Sequence, residues 1–262
     1  MSILKQLNSS EVDQFIEEGY VPLRQAFSPD AAAWYVDHVW DKLAIKRDDP
    51  STWTSARAHL KENVPIPDDQ PLYTPKVVNA IDDLLGESRW IPRTTTGWWP
   101  VTLPGFSQKP WHPPESGWHI DGIHFHHHLT SPEQGLLIIM IFSQVEPGDG
   151  GTAFRPGSHK VTAKLLAEAE PGGLTVGDLS KAVNAQTYPQ ELESTGMPGD
   201  LILMHPFMSH SASPNTGQRV RFITNNCIQL HKPMQLDRNP SELSPVEQAI
   251  INTVGRPGVQ AS

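Results

Sequence analysis

The sequence predicts a mainly β protein with flanking helices, in which a helical N-terminal layer packs on a two-sheet β core. Three observations carry this. Twenty-five prolines and nineteen glycines are spread along 262 residues, which favours many turns and short elements over a helical bundle. Capped amphipathic patterns are concentrated before Trp90. From Trp90 onward, β-branched and aromatic runs alternate with Gly, Pro and Asp, the pattern of an all-β barrel or sandwich.

The elements follow in order. Asn8, Ser9 and Ser10 offer caps for "EVDQFIEEG". Val12, Phe15 and Ile16 share one helical face there, and Gly19 suits the stop. "YVPLR" reads as a short strand. Ser28 caps "DAAAWYVDHVWDKLAI", with Pro29 at its first turn. Residues 47–74, rich in Pro and Asp, read as loop, and "KVVNAIDDLLG" as a third helix. Strands are then expected in "WIPRTTTGWW", "WHID", "GLLIIMIFSQV", "GTAFRPG", "GDLILMHP" and "RVRFITNNCIQL". Ser158 to Ala169 and Ser244 to Val254 read as helices. No linker composition divides the chain, so one domain is expected over 1–262. It comprises a helical layer (1–89), a β core (90–232) and a C-terminal segment (233–262).

Composition narrows the function. Net charge is −9 and no Lys/Arg run exists, which argues against a nucleic-acid surface. The longest apolar run, "LLIIMIF", falls far short of the roughly 20 residues needed to span a bilayer. A lone Cys227 excludes an internal disulfide and fits a reducing compartment. "MSILKQLNSS" lacks the shape of a signal peptide. A cytoplasmic protein acting on a small molecule is expected. The oligomeric state is not legible.

The chemistry starts at "WHID". On a strand, residues two apart point to the same face, so His119 and Asp121 aim an imidazole and a carboxylate at one point. A third ligand is available downstream in "GDLILMHPFMSHSASPNTGQRVRF", which holds His205 and His210. Two histidines and one carboxylate, with no thiolate, suit Fe(II) and leave one face of the metal open for O2 and an organic ligand. Oxygen activation there needs extra electrons, which a 2-oxoacid can supply. Its far carboxylate then needs a fixed cation, and an arginine fork grips a carboxylate in bidentate fashion. Arg219 and Arg221 both follow the distal histidines. They have the same parity, so alternation does not separate them.

The chain resembles the phytanoyl-CoA dioxygenase family of Fe(II)/2-oxoglutarate-dependent oxygenases. The resemblance runs from "EEGYVPLRQAF" through "WHID", "GDGGTAFRPGSHK" and "PGDLILMHPFMSHSASPN" to "RVRF", most of the chain. It implies a double-stranded β-helix, a cupin-like jelly roll. It implies Fe(II) held by His119, Asp121 and His210, with His205 left as a structural residue. It places the 2-oxoglutarate carboxylate on Arg221, eleven residues after His210, with Arg219 as runner-up, and Thr152 as a further contact. Ala212 lacks the hydroxyl that some relatives use after the distal histidine. The expected reaction is oxidation of a C–H bond of a small metabolite, most plainly hydroxylation, in natural-product metabolism, with release of succinate and CO2. Asp121 argues against the halogenase variant. Desaturation, ring closure, epimerisation and alcohol oxidation start from the same step. Rival readings are a cupin-like metal enzyme that uses no 2-oxoacid and a non-catalytic jelly-roll binding module.

Other candidates are weighed beside these. Arg93, Trp111, Trp118, His124 and His126 are candidate substrate contacts, the last two on a loop over the site mouth. His127 and His128 are expected at the surface, and His159 in a structural turn. The tryptophans around Trp98 read mostly as packing. Gly148, Gly150 and Ala153 spell a formal G-x-G-x-x-A, but a dinucleotide fingerprint must open a helix, and Pro156-Gly157 would break one. No basic patch for coenzyme A is visible.

Overall fold

The computed structural model describes residues 4–60 and 62–255. Residues 256–262, the end of the expected C-terminal segment, and the first three residues of the N-terminus lie outside them.

Five of the six helices carry side-chain caps. In α1 (Ser9–Glu18), Asn8 and Glu11 form a reciprocal capping box, and Gly19 closes the helix at φ 85°. A side chain at Gly19 would be strained in φ and would lie 2.4 Å from His159 Nδ1. Ser28 and Thr74 cap α2 (Pro29–Lys42) and α3 (Pro75–Leu85), each with Pro in the first turn. α4 (Ser158–Ala169) starts from Gly157 without a side-chain cap. Thr175 caps α5 (Val176–Asn184), and Ser244 caps α6 (Pro245–Val254). No helix among the described residues is long and apolar enough to cross a membrane.

A four-stranded antiparallel sheet has the order β1-β7-β4-β9, built from β1 (Tyr20–Leu23), β4 (Leu136–Ile141), β7 (Leu201–Met204) and β9 (Ile223–Ile228). β2 (Arg57–Leu60) and β3 (Trp99–Thr102) pair with each other. Single bridges from Trp98 to Asn225 and from Thr102 to Arg221 attach that strand pair beside β9. The second sheet is β6-β5-β8, from β5 (Thr152–Phe154), β6 (Leu192–Glu193) and β8 (His210–Ala212). Together the sheets and helices form the jelly roll of the expected class.

Alternation along β4 shows how the layers close. Leu136, Ile138 and Met140 pack into the large core shared with α1–α6, while Leu137, Ile139 and Ile141 pack with Phe154, Ile202, Met204, Met208 and Ile223 in a second core. A strand buried on both faces reads as a continuous apolar run, hence "LLIIMIF". Along β9 the odd residues Ile223 and Cys227 join the second core. The face carrying Arg221, Ile223, Asn225 and Cys227 therefore looks away from the helices, toward the second sheet.

Several expectations need correction. "WIPRTTTGWW" forms isolated bridges at Trp90, Thr95 and Trp98, and its strand starts only at Trp99. Pro92 and Gly97 (φ 79°) interrupt it. "WHID" is one bridge and no strand. In "RVRFITNNCIQL" the strand starts at Ile223, with Arg221 as a bridge before it. The supposed loop 47–74 contains β2. α5, β6 and β8 are additional.

Two histidines lie buried between α1, α4 and α6. His159 and His205 pack with ring centroids 5.0 Å apart, both about 1% exposed or less. Burial lowers His159 to a pKa of about 4, helped by Lys160 and opposed by the Ile16 carbonyl and Glu17. Burial, with His159 adding to it, holds His205 well below its usual value against the Val246 carbonyl. In the unfolded chain these imidazoles protonate near 6.5. Stability is thus fully present above that pH and falls as pH drops toward about 4, by about 1.4 kcal/mol per pH unit for each imidazole. Urea unfolding across this window should show that slope, and His159→Gln should flatten it. An equal slope in the variant would assign the acid sensitivity elsewhere.

Candidate active site

The triad is assembled where the two chain segments meet. His119 and His210 are direct backbone partners: His119 N donates to His210 O at 2.9 Å, and His210 N to His119 O at 3.0 Å. Asp121 Oδ1 lies 3.4 Å from His119 Nε2, and its Oδ2 3.6 Å from His210 Nε2. The ligand atoms of all three fall within 4.8 Å of one another, and these residues form the one such group among the described residues. His119 and Asp121 share a side although their segment is not a strand. The turn at Gly122 (φ 119°) leads the chain away directly afterwards.

The donor atoms suit a metal. His119 Nδ1 is 2.8 Å from Gly117 O, and His210 Nδ1 is 3.1 Å from Met208 O. Each Nδ1–H therefore donates to a carbonyl, which leaves each Nε2 with a free lone pair. His210 Nε2 is buried and has no hydrogen-bond partner, a costly state unless something binds it. Burial would raise the Asp121 carboxyl, but the His210 and His119 rings hold it well below the usual carboxylate range. Burial lowers His119, and Asp121 and the Gly117 carbonyl more than offset it, so its net shift is upward.

The turn before His210 is clamped by α4. Ser158 Oγ accepts from Ser209 N at 2.9 Å, and Thr162 Oγ1 donates to Phe207 O at 2.9 Å. His205, at the head of this turn, is buried, accepts from Phe207 N and faces the Val246 carbonyl. It is structural, and His159 at the base of α4 likewise contacts the Ile16 carbonyl.

The two arginines separate cleanly. Arg221 is 1% exposed. Its Nη2 donates to Thr102 Oγ1, while Nε and Nη1 have no partner. Burial lowers its pKa to about 9, with Arg57 adding to the effect and Glu193 opposing it. A buried guanidinium with unfilled donors suits an anion. Arg219 instead is exposed and bonded to Glu146 and Asp149 at 3.1 Å each, so its charge is already spent. Thr152 opposes Ala212 in register, and Phe154 opposes His210. Thr152 therefore shares the face of His210.

Candidate substrate contacts are sorted by their partners. Arg93 is half-buried and donates to the Cys227 carbonyl at 3.0 Å. Trp111 Nε1 points to Ser213 Oγ at 3.3 Å. Trp118 is buried, with the Arg155 guanidinium over one ring face 3.9 Å from the ring centre. His124 and His126 are exposed on the loop after Gly122. His127 is not a surface residue. It is 1% exposed, pairs by backbone with Leu174, and its Nε2 meets Gly122 O. His128 lies beside Glu170.

Sequence reasoning missed four residues of this region. Cys227 Sγ is 3.7 Å from Asp121 Oδ2. Burial, then the Asp121 charge, pushes this thiol well up, so it is an S–H group. Asn225, two residues back on the same face, has a buried Oδ1 without partner. Trp98 opposes Asn225 and is 65% exposed. Arg57 opposes Thr102 from β2. The available signal was alternation along "RVRFITNNC", which places 221, 225 and 227 together.

The glycine-rich turn opens β5 and not a helix, as expected. The backbone N–H groups of Gly148, Gly150 and Gly151 are all taken by the Glu193 carboxylate at 2.6–2.8 Å. Two open surface grooves, one around Trp53 and Phe106 and one around Gln144 and Met197, include none of the triad. The donor set, and not concavity, locates the site.

Among solved structures, EctD from S. alaskensis with bound Fe is 18% identical, with 91% of this chain and 84% of that chain covered at a TM-score of 0.53. HygX from Streptomyces hygroscopicus with nickel, 2-oxoglutarate and hygromycin B is 11% identical over 85% and 87%, at 0.49. The α-ketoglutarate-dependent carbocyclase SnoK from nogalamycin biosynthesis is 16% identical over 87% and 86%, at 0.48. At such identities the likeness to EctD is one of fold. No curated protein matches the sequence significantly. The profile of the phytanoyl-CoA dioxygenase (PhyH) family matches residues 15–223. The chain thus belongs to the phytanoyl-CoA dioxygenase family and is an iron- and 2-oxoglutarate-dependent oxygenase.

Proposed function

We propose that the chain, as a single catalytic domain of the cytoplasm, oxidises a C–H bond of a small-molecule metabolite, by hydroxylation, in natural-product metabolism. The observation that carries this is the unfilled guanidinium of Arg221 on the β9 face that also brings Cys227 against Asp121. One sheet face thus connects an anion anchor to the metal triad. His119 and His210 would hold the metal through Nε2, and Asp121 through a carboxylate oxygen. Arg221 would receive the distal carboxylate of 2-oxoglutarate, with Thr152 beside His210. When bound, Fe(II), O2 and 2-oxoglutarate supply a two-electron oxidation, and the 2-oxoacid leaves as succinate and CO2.

The chain's own residues do the positioning. The Nδ1 contacts with the Gly117 and Met208 carbonyls orient both imidazoles with Nε2 toward Asp121. The Asp121 carboxylate would fill the ligand position that a halide needs. The substrate would lie against Trp98, Asn225 and Arg93, with His124, His126 and Trp111 at the rim. The Asn225 Oδ1 lone pair favours a hydroxyl or amine on that substrate. A net charge of −9 disfavours a polyanionic thioester.

Aerobic incubation with Fe(II), 2-oxoglutarate and a metabolite panel tests the reading. A true substrate should stimulate succinate release and gain one oxygen atom. Loss of two hydrogens instead would assign desaturation, ring closure or alcohol oxidation. Equal succinate from His119→Ala would remove that residue from the ligand set. No binding of 2-oxoglutarate would favour a cupin-like enzyme without a 2-oxoacid, or a non-catalytic module.

A further inference from the structure

Arg57, Thr102 and Arg221 form a row across the sheet. Arg57 opposes Thr102 in the β2–β3 pairing, and Thr102 opposes Arg221. Directly opposed residues present their side chains on one face. The other face of this strand pair is fixed independently, because Leu60, Trp99 and Val101 pack into the helix-side core. All three members of the row therefore face the same way as Asn225 and Cys227. Thr102 Oγ1 already accepts from Arg221 Nη2, which ties the middle of the row to one end.

Two guanidiniums on one face repel each other, and Arg57 is close enough to contribute to the lowered pKa of Arg221. Among the described residues, no carboxylate lies within ion-pair distance of either. Glu193, the acid that acts on Arg221, has its oxygens committed to three glycine N–H groups. A chain with 29 acidic residues and 20 basic ones leaves this pair unneutralised. Such a pair is satisfied by an anion that reaches both.

We propose that Arg57 is a second cationic anchor for the distal carboxylate of 2-oxoglutarate, acting with Arg221 across Thr102. This rests on the reading of Arg221 above. Arg221 supplies the buried Nε and Nη1 donors. Arg57, exposed at the open side of the row, closes over the same carboxylate and offsets the repulsion between the two cations once that carboxylate is in place.

The test needs no prime substrate. 2-Oxoglutarate is titrated anaerobically into Fe(II)-loaded protein and followed by calorimetry. Arg57→Gln should weaken binding about five-fold, the upper end for an exposed charged contact. Arg57→Lys should recover most of the loss, and Arg221→Gln should lose more than about 30-fold. Pyruvate, a 2-oxoacid without a distal carboxylate, should bind wild type and Arg57→Gln equally. Unchanged affinity in Arg57→Gln beside a loss in Arg221→Gln overturns the role of Arg57 alone. Unchanged affinity in both overturns the anchor reading at Arg221. An equal loss for pyruvate and 2-oxoglutarate would show that Arg57 acts on the metal end or the fold, and would also overturn the proposal.

Discussion

Replacing His210 with alanine is expected to weaken Fe(II) binding more than about 100-fold and to remove substrate-stimulated succinate release. Changing a partner that merely orients a ligand typically costs 10–100-fold, and here the ligand itself goes. His210 supplies the buried Nε2 that has no protein partner. That nitrogen lies 3.6 Å from Asp121 Oδ2. The substitution leaves the backbone pair with His119 available, since that pair uses main-chain atoms. The fold should therefore survive. Competition against a coloured chelator measures the loss, and far-ultraviolet circular dichroism checks the fold. Fe(II) affinity within a few-fold of wild type would take His210 out of the ligand set.

The largest effect on stability is expected at Glu247, outside the triad. Its side chain is fully buried in α6, yet it bonds Arg89, Arg238, Ser244 and the backbone N–H of Gln235. Burial alone would raise this carboxyl. Arg89 and the N–H groups of Gln235 and Ser244 overcome that and hold it at about 2. Glu247→Gln keeps the shape and removes the charge, so two partly buried guanidiniums lose their counter-ion. The expected cost is about 3–5 kcal/mol, or a fall in Tm of about 10 °C for a chain of this size. Its contribution is present above the unfolded value of 4.5 and is lost as pH falls toward about 2. Glu62→Gln is the contrast. Its carboxylate meets Lys42 at the surface, and its loss should cost under about 1 kcal/mol. Calorimetric unfolding of both variants decides the matter, and equal shifts would show that burial of the Glu247 cluster carries no special weight.

The sequence made some of this legible, for definable reasons. Capped helices were readable because Asn8, Ser28 and Ser244 sit at fixed offsets from apolar stripes. The grouping of His119 and Asp121 was readable from spacing alone, although the assumed strand is a single bridge between two left-handed glycines. Arg219 and Arg221 share parity, so local pattern could not divide them. What divides them is tertiary: Glu146 and Asp149 come from a distant turn to claim Arg219. Arg57 was hidden because a four-residue strand in a Pro- and Asp-rich stretch carries no periodic signal of its own. α5 was missed since Gly177 interrupts a short helix. His127 was assigned to the surface by its polar neighbours, whereas its burial comes from the segment around Leu174.

The mutual backbone pairing of His119 and His210 has a consequence for how the ion is exchanged. Main-chain hydrogen bonds hold the two backbone segments that carry these imidazoles side by side. The entropy of bringing residues 119 and 210 together is already spent in folding, so loading should need little rearrangement. Zinc-finger modules behave oppositely, because their fold appears only with the metal. In this protein, chelation should strip the ion while leaving the circular dichroism spectrum and most of the thermal stability in place. A protein released from iron starvation could then regain its ion without refolding.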